Sequence, residues 1–134
     1  MEQKDKTIGL LSIARKAGKL QTGEDAVGVM MAEHRARLIV LASDAGAATV
    51  RRVKAQTEGT RQRWLVLDLD KQTLGAALGK ASVAVAAFAD VSLALAFVRT
   101  LEDPDPELVA DFEKRVERVK SRAESGKRSK LRKS

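Results

Sequence analysis

Apolar residues along the chain alternate between two spacings. Leu10, Ile13, Ala14 and Ala17 recur three and four residues apart, which predicts a helix with that stripe inward. Gly18 stands where a helix ending in a left-handed residue places its glycine. Residues 19–22 form a short extended segment, and helical spacing returns with Val27, Met30, Met31 and His34, a second helix opening at Gly23. Its methionines read as core filler. Thr22 is its expected N-cap, with Asp25 three residues on completing a capping box. Leu38 to Ala42 is continuously apolar and β-branched, the pattern of a strand buried on both faces. Ser43 and Asp44 are expected to cap a third helix through Val50 and Val53, with Arg51, Arg52 and Lys54 outward. After a polar loop over residues 58–63, Trp64 to Leu67 reads as a second buried strand, so strand, helix and strand form a parallel crossover.

The alternation continues with a short helix carrying Leu74, Ala77 and Leu78 and stopping at Gly79. Ser82 to Phe88 is a third strand, so rich in alanine that something must pack closely on it. Asp90 then caps a helix with Ala94, Phe97, Val98 and Leu101 on one side. The pattern predicts one α/β domain with Val40, Val66 and Val85 on buried strands. Asp103-Pro-Asp-Pro106 closes that domain, and Asp105 and Pro106 suit N-cap and N1 of a new helix. Val109, Phe112, Val116, Val119 and Ala123 mark its apolar face, a docking stripe for the domain or for a partner. The expected organisation is a domain over residues 1–103, an amphipathic helix over 104–124 and a disordered basic tail over 125–134.

Composition changes this picture in one respect, the placement of charge. The 134 residues, 44% hydrophobic and 32% charged, suffice for a single core. The formal charge is +7, but Lys114 to Ser134 holds ten Lys or Arg against two Glu, a net of +8, while the first 113 residues are near neutral at −1. A basic tail on a neutral body points to nucleic acid or another acidic surface. No apolar run approaches the length of a membrane span and the amino terminus lacks a signal-peptide pattern, so cytoplasmic residence without a membrane partner is the expectation.

The chemistry of catalysis finds few candidates. There is no cysteine, His34 is the single histidine, and no nucleophile elbow or P-loop occurs. Asp68 and Asp70 flank the end of a strand, where a loop and a helix cap are the simpler reading than a metal site. Three Phe, one Trp and no Tyr leave no aromatic platform for stacking bases on a sheet. No cofactor, metal or enzymatic activity is therefore expected. The stretch from Lys19 to Asp25 does offer a binding feature. Gly23 lets a large group approach a helix start whose free N–H groups suit a phosphate, although Glu24 and Asp25 compete for the same field. A capped surface helix is the plain alternative.

Three segments read together carry a more specific resemblance. They are Leu10-Leu-Ser-Ile-Ala-Arg-Lys-Ala-Gly-Lys-Leu20 with Thr22-Gly-Glu24, Leu38-Ile-Val-Leu-Ala-Ser-Asp44, and Leu74-Gly-Ala-Ala-Leu-Gly-Lys80. In that order and spacing they resemble the small kink-turn-binding ribosomal protein family, most closely its bacterial YlxQ-like branch, over roughly residues 7 to 101. The resemblance implies a three-layer α-β-α sandwich on a four-stranded mixed sheet, with residues 19–22 as the fourth strand. It implies that the helix at Gly23 enters the widened groove of a kinked RNA and that the loop from Lys80 covers bulged bases. The residues so marked are Lys19, Thr22, Gly23, Glu24, Asp25, Lys80, Ala81, Ser82 and Val83. Against the family's Gly-x-Asn-Glu-x-x-Lys motif, Asp25 stands for the Asn, Ala26 for the Glu and Val29 for the Lys. An Asp accepts from a base but does not donate, so RNA binding is implied and the need for a true kink-turn is left open.

The expected function is that of a non-enzymatic, ribosome-associated RNA-binding protein. Its expected partner is structured RNA, ribosomal RNA in the first instance, with the tail adding phosphate attraction. A large side chain at Gly23 is expected to obstruct that RNA without unfolding the domain. The alternative is a protein-interaction adaptor on the same fold, with the last helix docking a protein partner.

Overall fold

The computed structural model describes residues 2–133, with side chains over residues 4–126. Six helices, α1 (Glu2–Lys16), α2 (Glu24–Ala32), α3 (Ala47–Thr57), α4 (Lys71–Ala77), α5 (Val91–Arg99) and α6 (Pro106–Lys133), alternate with four strands. The strands β1 (Leu20–Thr22), β2 (Leu38–Leu41), β3 (Arg63–Val66) and β4 (Val85–Phe88) form one sheet in the order β1-β4-β2-β3. The central strand β4 runs antiparallel to both neighbours, and β2 pairs with β3 in parallel. The sheet is thus mixed and four-stranded.

Side-chain alternation along the two central strands builds the layers. Leu38, Val40, Ala86 and Phe88 point to one face, where they pack with Leu11 and Ala14 of α1, Leu74 of α4, Phe97 and Val98 of α5, and Phe112 of α6. Ile39, Leu41, Val85 and Ala87 point to the other, against Val27, Met30 and Met31 of α2 and Val53 of α3. The result is an α-β-α sandwich. Phe88, Phe97 and Phe112 are all fully buried on the first face, and the rings of Phe88 and Phe97 lie 5.0 Å apart and tilted by 43°. Among the described residues no helix is long and apolar enough to cross a membrane.

Several local expectations shift. In α1 the buried line is Thr7, Leu11 and Ala14, whereas Ile13 is 57% exposed and Ala17 is also exposed. The stripe is turned because α1 packs on both α4 and α5, and Thr7 is held there by a 2.9 Å hydroxyl contact with Thr100. Thr22 belongs to β1, paired with Ala86, so Gly23 is the N-cap of α2 and no capping box forms. His34 lies beyond the end of α2, exposed and at φ 58°. Gly46 rather than Ser43 or Asp44 caps α3, because the Asp44 carboxylate accepts from the Lys71 backbone N–H at 2.8 Å instead. The strand β3 is an edge strand, and Val66 is 52% exposed, while Val40 and Val85 are buried as expected. The third predicted strand is shorter than its apolar pattern, beginning at Val85 rather than Ser82.

The caps at Asp70, Asp90 and Asp105 form, each carboxylate accepting from a backbone N–H of the following turn. At Asp70 the hydrogen bond from the Thr73 N–H holds the carboxyl below its usual value. Pro106 opens α6. The helix then departs from the expected organisation at both ends. Leu108 and Phe112 join the main core, so the compact body extends past residue 103. At the far end α6 runs through Gly126 to Lys133, where a disordered tail was expected. One glycine costs a helix only about 1 kcal/mol, and Lys and Arg are good helix formers. Ser134 and the side chains past Gly126, part of that expected tail, lie outside the described residues.

These packing differences divide α6 into a clamped half and a free half. Phe112→Ala is expected to lower the unfolding free energy by about 3–5 kcal/mol, the usual cost of emptying a buried phenylalanine site. Val119→Ala, at a site 53% exposed, is expected to change it by less than about 0.5 kcal/mol. Urea unfolding of the two variants beside the parent chain measures both.

Candidate nucleic-acid interface

The registers of β1 and β4 decide which loops become neighbours. Thr22 pairs with Ala86, so β1 ends where β4 begins, and the Gly23 N–H donates to the Val85 carbonyl at 2.9 Å. Leu41 at the end of β2 also pairs with Val85, and the Ala42 N–H donates to the Ala84 carbonyl at 2.9 Å. The helix start at residues 23–25 and the loop at residues 80–84 therefore lie side by side at one end of the sheet.

Each half of this surface has its own support. Gly23 adopts φ 94° and ψ 155°, a conformation open in practice only to glycine, which turns the chain from β1 directly into α2. No other atom lies within 4 Å of where a Cβ on Gly23 would point, so that side is free. A side chain at Gly23 is nonetheless strained by about 1–3 kcal/mol whatever its size, so the expected obstruction comes with a loss of stability. The loop is held down on α4. A Cβ on Gly75 would meet the backbone of Lys80 and Ser82 at 2.7–2.8 Å, so only glycine lets the loop lie there. The Lys80 N–H bonds to the Gly75 carbonyl at 2.8 Å and the Val83 N–H to the Lys71 carbonyl at 3.0 Å.

The expected site residues separate on this surface. Gly23, Glu24, Asp25, Lys80, Ala81 and Ser82 are exposed and adjacent along the two segments. Val83 is only 4% exposed and anchors its loop from below. Thr22 is half-buried in the sheet. Lys19 sits at the opposite end of β1, its carbonyl accepting from the Ala89 N–H at 2.9 Å. Its backbone is therefore about 13 Å from Gly23, four residue steps along an extended chain.

Electrostatics refines the first turn of α2. The Glu24 carboxylate accepts from the Thr49 hydroxyl and lies 3.8 Å from the Arg52 guanidinium, so it is drawn toward α3. Asp25 has no ion pair or side-chain hydrogen bond among the described residues and remains a free acceptor. Arg15, outside the residues expected from the sequence, also reaches this surface. Its guanidinium lies 3.6–3.7 Å from where a Cβ on Gly79 would stand, next to Lys80, and it carries no ion pair among the described residues. The only sequence signal was the gathering of Arg15, Lys16 and Lys19 at the end of α1. Among the described residues no cluster of His, Asp or Glu is placed to hold a metal ion. Asp68 instead pairs with Lys4 at 3.7 Å, and Asp70 caps α4.

Comparison with known proteins places this geometry among solved folds. No protein-family model matches the sequence, and no curated protein matches it. A protein of unknown function from Bacillus halodurans C superposes with a TM-score of 0.67 at 26% identity, over 73% of this chain and 98% of its own. The Giardia lamblia 15.5kD RNA binding protein superposes with a TM-score of 0.62 at 17% identity, over 84% of this chain and 89% of its own. The chain is similar to both in fold.

Proposed function

We propose that this protein is a non-enzymatic RNA-binding protein that recognises a structured, kink-turn-like RNA and acts in association with the ribosome. The observation that carries the reading is the Gly23 to Val85 hydrogen bond, which ties the Gly23–Asp25 helix start to the beginning of the strand that the loop at residues 80–84 leads into. The arrangement suits a bent or bulged RNA better than a straight duplex. An open glycine admits backbone into close approach to the start of α2, and a fixed loop from the neighbouring segment is available to cover an unstacked base. Lys80 and Arg15 supply phosphate contacts at the edge. The fold likeness to the Giardia RNA binding protein supports the same reading.

Shape recognition of this kind depends on where the loop sits. The full chain is expected to bind an RNA carrying a bulged, kinked helix more tightly than duplex RNA of equal length. Gly75→Ala, which forces the loop off α4, is expected to erase most of that preference while leaving duplex affinity nearly unchanged. Lys80→Gln is expected to weaken both RNAs alike and flatten the slope of log affinity against log salt by about 0.7–0.9. Fluorescence anisotropy with the two RNAs measures all three, with thermal unfolding confirming that each variant is folded. Equal affinity of the parent chain for both RNAs, or none for either, overturns the reading.

The charge of α6 makes a separate claim. Most salt-dependent attraction is expected to come from its distal half, which carries the excess positive charge. Since Leu108 and Phe112 belong to the core, the informative truncation stops after Arg118. That removes seven basic residues and one Glu. If about half of the seven touch phosphate, the salt slope flattens by roughly two to three units, with little change in preference between RNAs. An unchanged slope instead favours a protein-docking role, for which the exposed Val119 on the apolar stripe is the supporting observation.

A further inference from the structure

The opposite end of the sheet holds a basic concavity. A cavity of about 180 Å³ opens where β2 and β3 begin, lined by His34, Ala36, Arg37, Arg61, Gln62 and Arg115. Its lining includes three arginines and a histidine, and no carboxylate. The nearest acids are already engaged, Glu33 with Arg35 at 2.9 Å and Asp111 with Arg115 at 2.8 Å. Arg37 and Arg61 are exposed and have no ion pair among the described residues.

The walls of this cavity are fixed in place from three directions. Gln62, only 7% exposed, accepts from the Ala36 N–H at 3.1 Å and donates to the Met31 carbonyl at 3.1 Å. It thereby ties the start of β3 to the segment between α2 and β2. Arg115 donates to the Arg61 carbonyl at 2.6 Å, is held by Asp111, and lies over the Phe112 ring with 13% of its side chain exposed. Arg115 is thus a brace, and the groups left for a ligand are the Arg37 and Arg61 guanidinium groups and the His34 imidazole.

His34 adds an imidazole to this lining at a backbone position that suits glycine. The His34 N–H bonds to the Met31 carbonyl at 3.1 Å and the Arg35 N–H to the Met30 carbonyl at 2.8 Å, closing α2 as a Schellman motif with His34 in the left-handed position. The ends of α1 and α4 place Gly18 and Gly79 at that position. A left-handed backbone costs more for a residue with a Cβ than for glycine, so replacing His34 by glycine separates the imidazole's role from that of the turn. From the same end of the sheet α6 carries Arg118 and Arg122 outward.

We infer that this cavity is a second phosphate site, which takes the backbone of the same RNA and hands it on to the basic face of α6. The inference rests on the RNA-binding reading for its ligand. It goes beyond that reading in placing a contact at the end of the sheet away from Gly23 and Lys80. A planar guanidinium pair with an imidazole is suited to a tetrahedral oxyanion, because each offers N–H donors in a fixed direction.

The test uses the full chain and three sets of variants. In an anisotropy salt series with the structured RNA, Arg37→Gln with Arg61→Gln is expected to flatten the slope by about 1.4–1.8 units, two phosphate contacts' worth. The control Arg51→Gln, on the outer face of α3, is expected to leave it unchanged. His34→Gly is expected to keep or raise the unfolding temperature while weakening RNA binding, a combination that a purely structural histidine does not give. Separately, inorganic phosphate alone is titrated while the amide resonances of His34, Arg37 and Arg61 are followed. Saturable shifts there, absent in the double variant, support the site even if the parent chain binds no RNA, in which case the RNA-binding reading falls by itself. If the parent chain binds RNA and the double variant has an unaltered slope, the site is overturned and the RNA-binding reading stands. Phosphate shifts with an unaltered RNA slope likewise overturn it, as an adventitious ion only.

Discussion

Everything that brings this protein's surfaces together depends on how β4 pairs with its two neighbours. Val85 is the pivot. It pairs with Leu41 on one side, and its carbonyl takes the Gly23 N–H on the other. A slip of one residue on either side would carry Phe88 from the α1, α4, α5 and α6 face to the α2 and α3 face. It would also part the Gly23 turn from the loop at residues 80–84. The register is protected by size as well as by hydrogen bonds. Ala86 and Ala87 at the centre of β4 are fully buried, so neither face has room for the phenylalanine a slip would bring. The alanine content that marked this strand in the sequence is therefore a register constraint as much as a packing one.

The parts of the fold legible in the sequence are those fixed locally. Asp70, Asp90 and the Asp105-Pro106 pair announce helix starts because a carboxylate needs only the next turn to bond to. β2 announces itself because burial on both faces leaves no polar position. The misread features are those decided by distant partners. Asp44 looks like a cap for α3 and bonds to the Lys71 N–H twenty-seven positions along the chain. Thr22 looks like a cap and is claimed by the ladder to β4. Val66 has the composition of a core strand, yet β3 lies at the sheet edge. The α1 stripe was misread in phase because Thr7, polar in sequence, finds its hydroxyl partner only in the folded state. The site divided in the same way. Gly23 was legible from chemistry next to it in sequence, whereas Arg15 over Gly79 and the cavity at Arg37 and Arg61 exist only once separate segments meet.

Charge is distributed unevenly between the two ends of the sheet. At the Gly23 end, Glu24 and Asp25 stand in the first turn of α2, where they are stabilised by the helix field but repel phosphate. Under the proposed reading, such a surface would have to select by shape, since it has few charges with which to hold a ligand. At the other end of the sheet, Arg37 and Arg61 line a cavity with Arg115, in the third turn of the long basic helix α6. That lining is cationic, and guanidinium contacts to a phosphate backbone would carry no base information. Placing the two at opposite ends keeps the acids of the first from cancelling the cations of the second. At the ionic strength of a cell, screening over about 8 Å isolates them further.

The helical state of α6 alters what its charge can do. A disordered tail of the same composition would lose conformational entropy for each residue it fixed on RNA, about 1–2 kcal/mol in backbone alone. In α6 that cost is offset within the folded protein, because Phe112 and Leu108 anchor the first turns in the core and the remainder propagates from an established nucleus. The helix is 28 residues long, about 42 Å at 1.5 Å per residue. It therefore reaches well beyond the body in a direction fixed by its root. Arg99 to Glu113 at 3.6 Å and Arg63 to Asp111 at 3.9 Å add weak restraints there. The stronger restraint is Arg115, which joins Asp111 and the Arg61 carbonyl at the point where the apolar contact thins out. The same side chain thus sets the angle at which α6 leaves and braces the wall of the basic cavity. Loosening it would disturb both together, so the cavity and the arm form one mechanical unit rather than two neighbouring features.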